Sequence, residues 1–171
     1  MLRLYLLAAF CFFGIVVADA GQQITLQENS PVHSTAGWSW EDCGESSDII
    51  RVKSIVVKPD PPKPGEDMTM TVVGTASEVV EDGAYADVTV KLGLIKLLTK
   101  RFDVCEEAQK ANATIQCPVE KGDHTVVQTV ALPKEIPQAK FKVKVEGYSV
   151  DDEPLLCLDM TVDFMKHLFN W

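Results

Sequence analysis

The sequence predicts an all-β fold, an antiparallel sandwich of two sheets. Apolar and polar residues alternate with period two over at least six stretches, no stretch of any length carries a convincing helical period, and the connections are rich in Gly, Pro and Asp. The clearest stretch is Lys140 to Phe164. Lys140, Lys142, Lys144 and Glu146 alternate with Phe141, Val143 and Val145. Tyr148 to Pro154 then carries three consecutive acids and a proline that cannot donate to a ladder, so the chain turns there. In the returning strand Leu156, Leu158, Met160, Val162 and Phe164 share one face, and Leu155, Cys157, Asp159, Thr161 and Asp163 the other.

Taken in order, residues 1–20 read as a secretory leader: one basic residue (Arg3), an apolar run from Leu4 to Val17, and Ala18-Asp19-Ala20 as a small-x-small cleavage site. The run is short for a membrane span of ~20 residues. Residues 21–37 are polar and aperiodic, a flexible arm or pro-segment, and residues 38–171 form one domain large enough for a real core. Within it, Trp38 to Cys43 is a short strand before the turn-permitting Gly44. Ile49 to Lys58 is a long strand with Ile50, Val52 and Val56 on one face and Arg51 and Lys53 on the other, the alternation blurring at Ile55 and Val57. Pro59 to Gly65 is too proline-dense for a central strand. Met68, Met70, Val72 and Ala76 then alternate with Thr69, Thr71 and Thr75. From Ala84 to Leu98, Ala86, Val88, Val90 and Leu92 point in and Asp87, Thr89 and Lys91 point out, until Gly93 interrupts and the greasy run Leu94 to Leu98 follows. Lys100 to Gln116 reads as a polar excursion, Thr125 to Leu132 as another strand, and the tail after Phe164 as a short segment that packs or frays.

Cys11 leaves with the leader, and Cys43, Cys105, Cys117 and Cys157 remain, an even number in an oxidising route. Three pairings are open. Cys105 and Cys117 flank a short polar loop, which leaves Cys43 to reach Cys157 and close a long one. Asn112-Ala113-Thr114 is an N-glycosylation acceptor in a secreted chain. The net charge of -9 argues against nucleic acid as a partner and, local basic patches aside, against tight binding to anionic membranes. His33, His124 and His167 lack the spacings of a metal site, and there is no nucleophile elbow, dinucleotide loop or Walker-type loop. The acids Asp151, Asp152 and Glu153 read as a solvated turn rather than a catalytic pair. No catalytic residue, metal or cofactor is expected.

The apolar stripe is the remaining candidate for function. Its inward members are Val52, Met68, Met70, Val72, Val88, Val90, Leu92, Val143, Val145, Leu158 and Met160. Pattern alone favours ordinary sandwich packing for them. Two details point the other way: Met68, Met70 and Met160 are adaptable gap-fillers suited to a variable apolar guest, and Gly74, Ala76, Ala84 and Ala86 leave volume between the sheets. Ile95, Leu97, Leu98 and Phe102, interleaved with Lys96, Lys100 and Arg101, are candidates either for a rim that touches a membrane and meets a phosphate or for an edge strand protected by its lysines.

Asp42-Cys43-Gly44, Cys105 followed by Cys117-Pro118-Val119, Leu132-Pro133, Val143-x-Val145-Glu146 and Leu156-Cys157, in that order from Trp38 to about Phe164, resemble the ML (MD-2-related lipid-recognition) family. Within it the chain looks most like the secreted fungal phosphatidylglycerol/phosphatidylinositol transfer proteins, relatives of a lysosomal sterol carrier. The resemblance implies an immunoglobulin-like sandwich with a lipid cavity between splayed sheets, a Cys43–Cys157 bridge from the N-terminal to the last strand, and a Cys105–Cys117 bridge at the cavity mouth. It also implies a monomer in the secretory pathway, released or delivered to a vacuolar or lysosomal lumen, that touches membranes transiently and carries phosphatidylglycerol or phosphatidylinositol, with a sterol as the alternative guest. An immunoglobulin-like binding module without lipid is the remaining class. A third bridge of the animal sterol carriers is absent, with Pro59 to Gly65 in its place.

Overall fold

The computed structural model describes residues 32–35, 37–111 and 113–165. The expected leader over residues 1–20, most of the arm, Asn112 of the sequon, and residues 166–171 lie outside them. Among the described residues nine strands run in chain order: β1 (His33–Ser34), β2 (Trp38–Asp42), β3 (Ile50–Lys58), β4 (Asp67–Ala76), β5 (Tyr85–Leu92), β6 (Ile95–Asp103), β7 (Gly122–Ala131), β8 (Lys140–Tyr148) and β9 (Pro154–Asp163). A helix α1 (Val104–Lys110) separates β6 from β7. The strands form two antiparallel sheets, one of six strands ordered β1-β2-β9-β8-β5-β6 and one of three ordered β3-β4-β7.

Where the sequence alternates cleanly, register and parity agree. Val88 pairs with Val145 and Val90 with Val143, while Val145 pairs with Leu158 and Val143 with Met160, so one face of β5-β8-β9 is apolar throughout. Trp38 and Trp40 join that face opposite Val162 and Met160. The arm is more ordered at its end than the sequence suggests: β1 adds to the sheet edge through His33, whose ring stacks on Trp40 at 4.5 Å between centroids.

Three local expectations are corrected. In β3 the register shifts between Val52 and Ser54, so Val52, Ile55 and Val57 pack inward and Val56 points to solvent. At that bulge a Cβ on Gly74 would lie 2.9 Å from the Arg51 carbonyl oxygen, which only glycine avoids. The stretch from Ala84 onward is two strands, folded back through a Gly93-Leu94 loop in which Gly93 takes φ +57°, and β6 continues through Lys100 to Asp103. The rest of the supposed polar excursion contains α1, where none was expected. Its N-cap Asp103 accepts from the Glu106 backbone N–H at 2.8 Å, Glu106 and Glu107 occupy the first turn, and Lys110 reaches both at 3.1 Å.

Two apolar clusters hold the layers. Trp38, Trp40, Ile55, Val57 and Leu158 join β2, β3 and β9 and recruit Met68, Met70, Val72, Val145 and Met160. At the cysteine end Val80, Ala84, Cys105 and Leu155 form the second, with Cys117 and Val119 against it. The bridges are Cys43–Cys157 and Cys105–Cys117. Their sequence separations of 114 and 12 residues imply about 5 and about 3 kcal/mol of unfolded-state entropy removed. Replacing Cys43 and Cys157 by serine is therefore expected to lower the free energy of unfolding by about 2 kcal/mol more than replacing Cys105 and Cys117. Urea denaturation of the two double variants measures this, and equal losses would contradict the entropic account.

Candidate functional site

The sheets come nearest where β3 lies over β9, and the Trp38–Leu158 cluster fills that side. The small sheet runs from there through β4 to β7, so the wider sheet extends beyond it on the β5-β6 side. The consequence appears in β5. It is a central strand between β8 and β6, yet Val88, Val90 and Leu92 on its inward face are only half-buried, as is Val143 beside them, and none belongs to either packed cluster. Inward residues of a filled sandwich would be buried. Among the described residues no large side chain is completely buried. The sandwich is clamped along one side and loosely filled along the other.

The sequence candidates divide accordingly. Leu158 lies in the packed cluster, and Val52, Met68, Met70, Val72, Val145 and Met160 pack against it. Val88, Val90, Leu92 and Val143 face the less filled side. Register adds residues that pattern reading missed: opposite Met70 and Val72, the inward face of β7 carries Gln128 and Val126. Here valines on both faces of β7, Val126 inward and Val127 outward, hide the parity. In the clamped side, the Trp38 indole N–H is buried and without an acceptor among the described residues.

The open side is bordered by β6. Ile95, Leu97 and Leu98 are exposed along this edge strand and Leu94 at the tip is fully exposed, while Phe102 is half-buried. The three basic residues of the strand have different surroundings. Arg101 points to the outer face, donates to both Asp87 carboxylate oxygens at 2.9 and 2.8 Å, and lies 3.8 Å from the Tyr85 ring centroid. Lys96 pairs across from Lys91 on that face. Lys100 sits opposite Val88 with inward parity, its Nζ 4.6 Å from the centre of the Phe102 ring. It is a cation on the apolar face, at the border of the open side.

The outer face has its own organisation. The Asp87–Arg101 hydrogen bond holds the Asp87 carboxyl below, and the Arg101 guanidinium above, their ordinary values. The Tyr85 hydroxyl donates to Asp152, which raises the tyrosine, and its ring stacks on Tyr148. Farther along, the outer surface of β2-β9-β8-β5 holds a partly open pocket of about 460 Å³, lined by Lys91, Lys142, Lys144, Glu41 and Asp159 together with hydroxyl residues and the apolar Val32, Trp40 and Met160. Its five charged side chains set it apart from the apolar space between the sheets. Asp82 lies beside Cys105 and Cys117, but both sulfurs are in the disulfide. Among the described residues no helix is long and apolar enough to cross a membrane.

The depressed Asp87 carboxyl has a directional consequence. Its pairing contributes stability above the unfolded-state value and loses it as pH falls through the lower folded value. In an NMR titration the Asp87 side chain should protonate below the ordinary aspartate value, and Arg101→Gln should move it upward. An unshifted Asp87 in the wild-type chain would contradict the pairing.

Comparison with known proteins gives a consistent picture. The family model described as "ML domain" matches residues 37–164. A phosphatidylglycerol/phosphatidylinositol transfer protein of Cryptococcus neoformans is 60% identical over 138 residues, covering 81% of this chain and 77% of that one. A protein of the same name from Mycosarcoma maydis is 51% identical over 128 residues, covering 75% of this chain and 66% of that one. Among solved structures, a Niemann-Pick type C2 protein from Japanese carpenter ant superposes with TM-score 0.57 at 17% identity, over 74% of this chain and 98% of that one. Chicken MD-1, crystallised with lipid IVa, superposes with TM-score 0.55 at 18% identity, over 78% and 97%. At these identities the two structures speak to the fold alone.

Proposed function

The chain belongs to the ML domain family, and from that premise we propose that it is an intermembrane carrier of phosphatidylglycerol and phosphatidylinositol, holding the acyl chains between its two sheets. The observation that carries the reading is the half-buried, inward apolar wall of Val88, Val90, Leu92 and Val143 on strands that a filled sandwich would bury. The names of the Cryptococcus and Mycosarcoma relatives support the choice of lipid.

Such a protein needs no catalytic step. Each buried CH₂ is worth ~0.8 kcal/mol, so two long acyl chains oppose release into water by tens of kcal/mol. An apolar interior about as good as the bilayer makes exchange nearly neutral and reversible. The methionines at the border of the packed cluster can repack as guests change. Lys100 supplies a cation at the border of the open side for the lipid phosphate, and Phe102 holds its ammonium over an aromatic face.

Loading requires transient contact with a membrane, for which the β5–β6 hairpin is suited. Leu94, Ile95, Leu97 and Leu98 are exposed, and residues 91–101 contain Lys91, Lys96, Lys100 and Arg101 without one acid, in a chain whose net charge is -9. The protein acts as a single chain, and its two disulfides fit a secretory route ending outside the cell or in a lumen.

Vesicle-to-vesicle transfer of fluorescent phosphatidylglycerol tests the reading. Val90→Trp should abolish transfer while leaving the melting temperature within a few degrees, because the bulk occupies guest volume; in a filled core the same change would overpack by about 1–3 kcal/mol. Loss of folding in that variant, together with a wild-type chain that transfers nothing, would defeat the proposal. Leu94→Ser with Ile95→Ser should slow transfer several-fold without reducing the lipid bound per protein, and an unchanged rate would remove the hairpin from membrane contact.

A further inference from the structure

We propose that the outer-face cavity is a second, polar binding site that takes a zwitterionic phosphate ester, a phosphate and an ammonium joined by a short linker. It is separate from the space between the sheets, and the proposal does not depend on lipid transfer. The register places Lys96 opposite Lys91, and Lys91 opposite Lys142, so three ammonium groups stand abreast on the outer face of β6, β5 and β8. Like charges directly opposite one another destabilise a sheet. Here the repulsion persists although the chain holds 25 acids against 16 basic residues, and none of the three lysines is ion-paired among the described residues. Lys91 and Lys142 line the cavity. Its third lysine, Lys144, is already neutralised by Glu146 at 2.7 Å.

The part of the lining carried by β9 and β2 has the opposite sign. Glu41 and Asp159 are register partners on β2 and β9, both half-buried and neither ion-paired among the described residues. Thr161, opposite Lys142, and Ser39, opposite Thr161, continue the row of the two lysines across β9 and β2 with their hydroxyls. Among the described residues, two ammonium groups without a salt bridge on β5 and β8, and two carboxylates without one on β9 and β2, where Lys144 stands opposite Asp159, leave the pocket polarised from one end to the other. A simple anion gains at one end and is repelled by the other. A zwitterion satisfies both: its phosphate accepts from Lys91 and Lys142, and its ammonium donates to Glu41 and Asp159. The volume of about 460 Å³ admits a molecule of that size. The same chemistry occurs as free phosphoethanolamine and as the headgroup of a phosphatidylethanolamine bilayer.

Calorimetric titration of the full chain with O-phosphoethanolamine tests the site, with glycerol 3-phosphate and inositol 1-phosphate as anionic probes and sedimentation with phosphatidylethanolamine vesicles for the membrane-borne source. Saturable binding, weakened at least about tenfold both by Lys91→Gln with Lys142→Gln and by Glu41→Gln with Asp159→Asn, is the expected result. The second pair should strengthen binding of glycerol 3-phosphate, a reversal that a merely structural effect would not produce. Binding of the soluble probe identifies a free ligand; binding to vesicles alone, with the same dependence on these variants, identifies the headgroup. Neither form binding, either probe binding without regard to the variants, or an anionic probe outbinding phosphoethanolamine would overturn the proposal. Should a double variant fail to fold, the exposed single change Lys91→Gln carries the comparison, since it also relieves repulsion and should not lower the melting temperature.

Discussion

The clamp between the first and last strands of the domain governs the rest of the structure. Cys43 is bonded to Cys157, its backbone N–H donates to the Cys157 carbonyl at 3.0 Å, and five registered pairs carry β2 along β9 to Trp38. Inward from that seam, Trp38, Trp40 and Leu158 meet Ile55 and Val57 of the opposite sheet. Apolar burial is thus concentrated where β3 crosses β9. Strands β4 and β8 reach that cluster through Met68, Met70, Val72 and Val145, whereas Val88, Val90, Leu92 and Val143 belong to no packed cluster. A sandwich fastened along one side can keep a loosely filled interior on the other without unfolding, because its stability does not depend on closing that interior.

The same arrangement separates the chemistry of the two faces of the wide sheet. Period-two alternation sends Val88, Val90, Val143 and Val145 inward and Thr89, Lys91, Lys142 and Lys144 outward from the same strands. Hydrocarbon and charge are therefore kept apart by one layer of backbone. Arg101 illustrates how tightly the outer layer is arranged: it is committed to Asp87 and Tyr85, which leaves Lys100, one residue earlier and on the other face, as the cation bordering the interior.

Strands β5, β8 and β9 were legible because apolar and polar residues alternate along them, and that parity survives in the register. What the sequence hid has identifiable physical causes. In β3 a single bulge moved Val56 to solvent and Ile55 inward, and a bulge leaves no signature in a hydropathy pattern. Strand β6 is exposed at every position from Ile95 to Arg101, so it has no alternation to read. Helix α1 has seven residues, too few to establish a period, although Asp103 and Glu106 held the cap cue. The inward parity of β5, β8 and β9 was legible, yet which inward residues are packed and which are not depends on how far three strands cover six, a property of assembly. Gln128 and the polar outer cavity emerge only from that pairing, since their residues come from strands distant in sequence.

Occupancy of the interior is the central claim, and native mass spectrometry of the protein purified from its own host, followed by extraction and identification of the lipid, tests it most directly. The account predicts a one-to-one complex whose extracted guest is an anionic glycerophospholipid. A chain recovered without lipid from gentle purification and unable to take up phosphatidylglycerol from vesicles, or one carrying only a sterol, would contradict it.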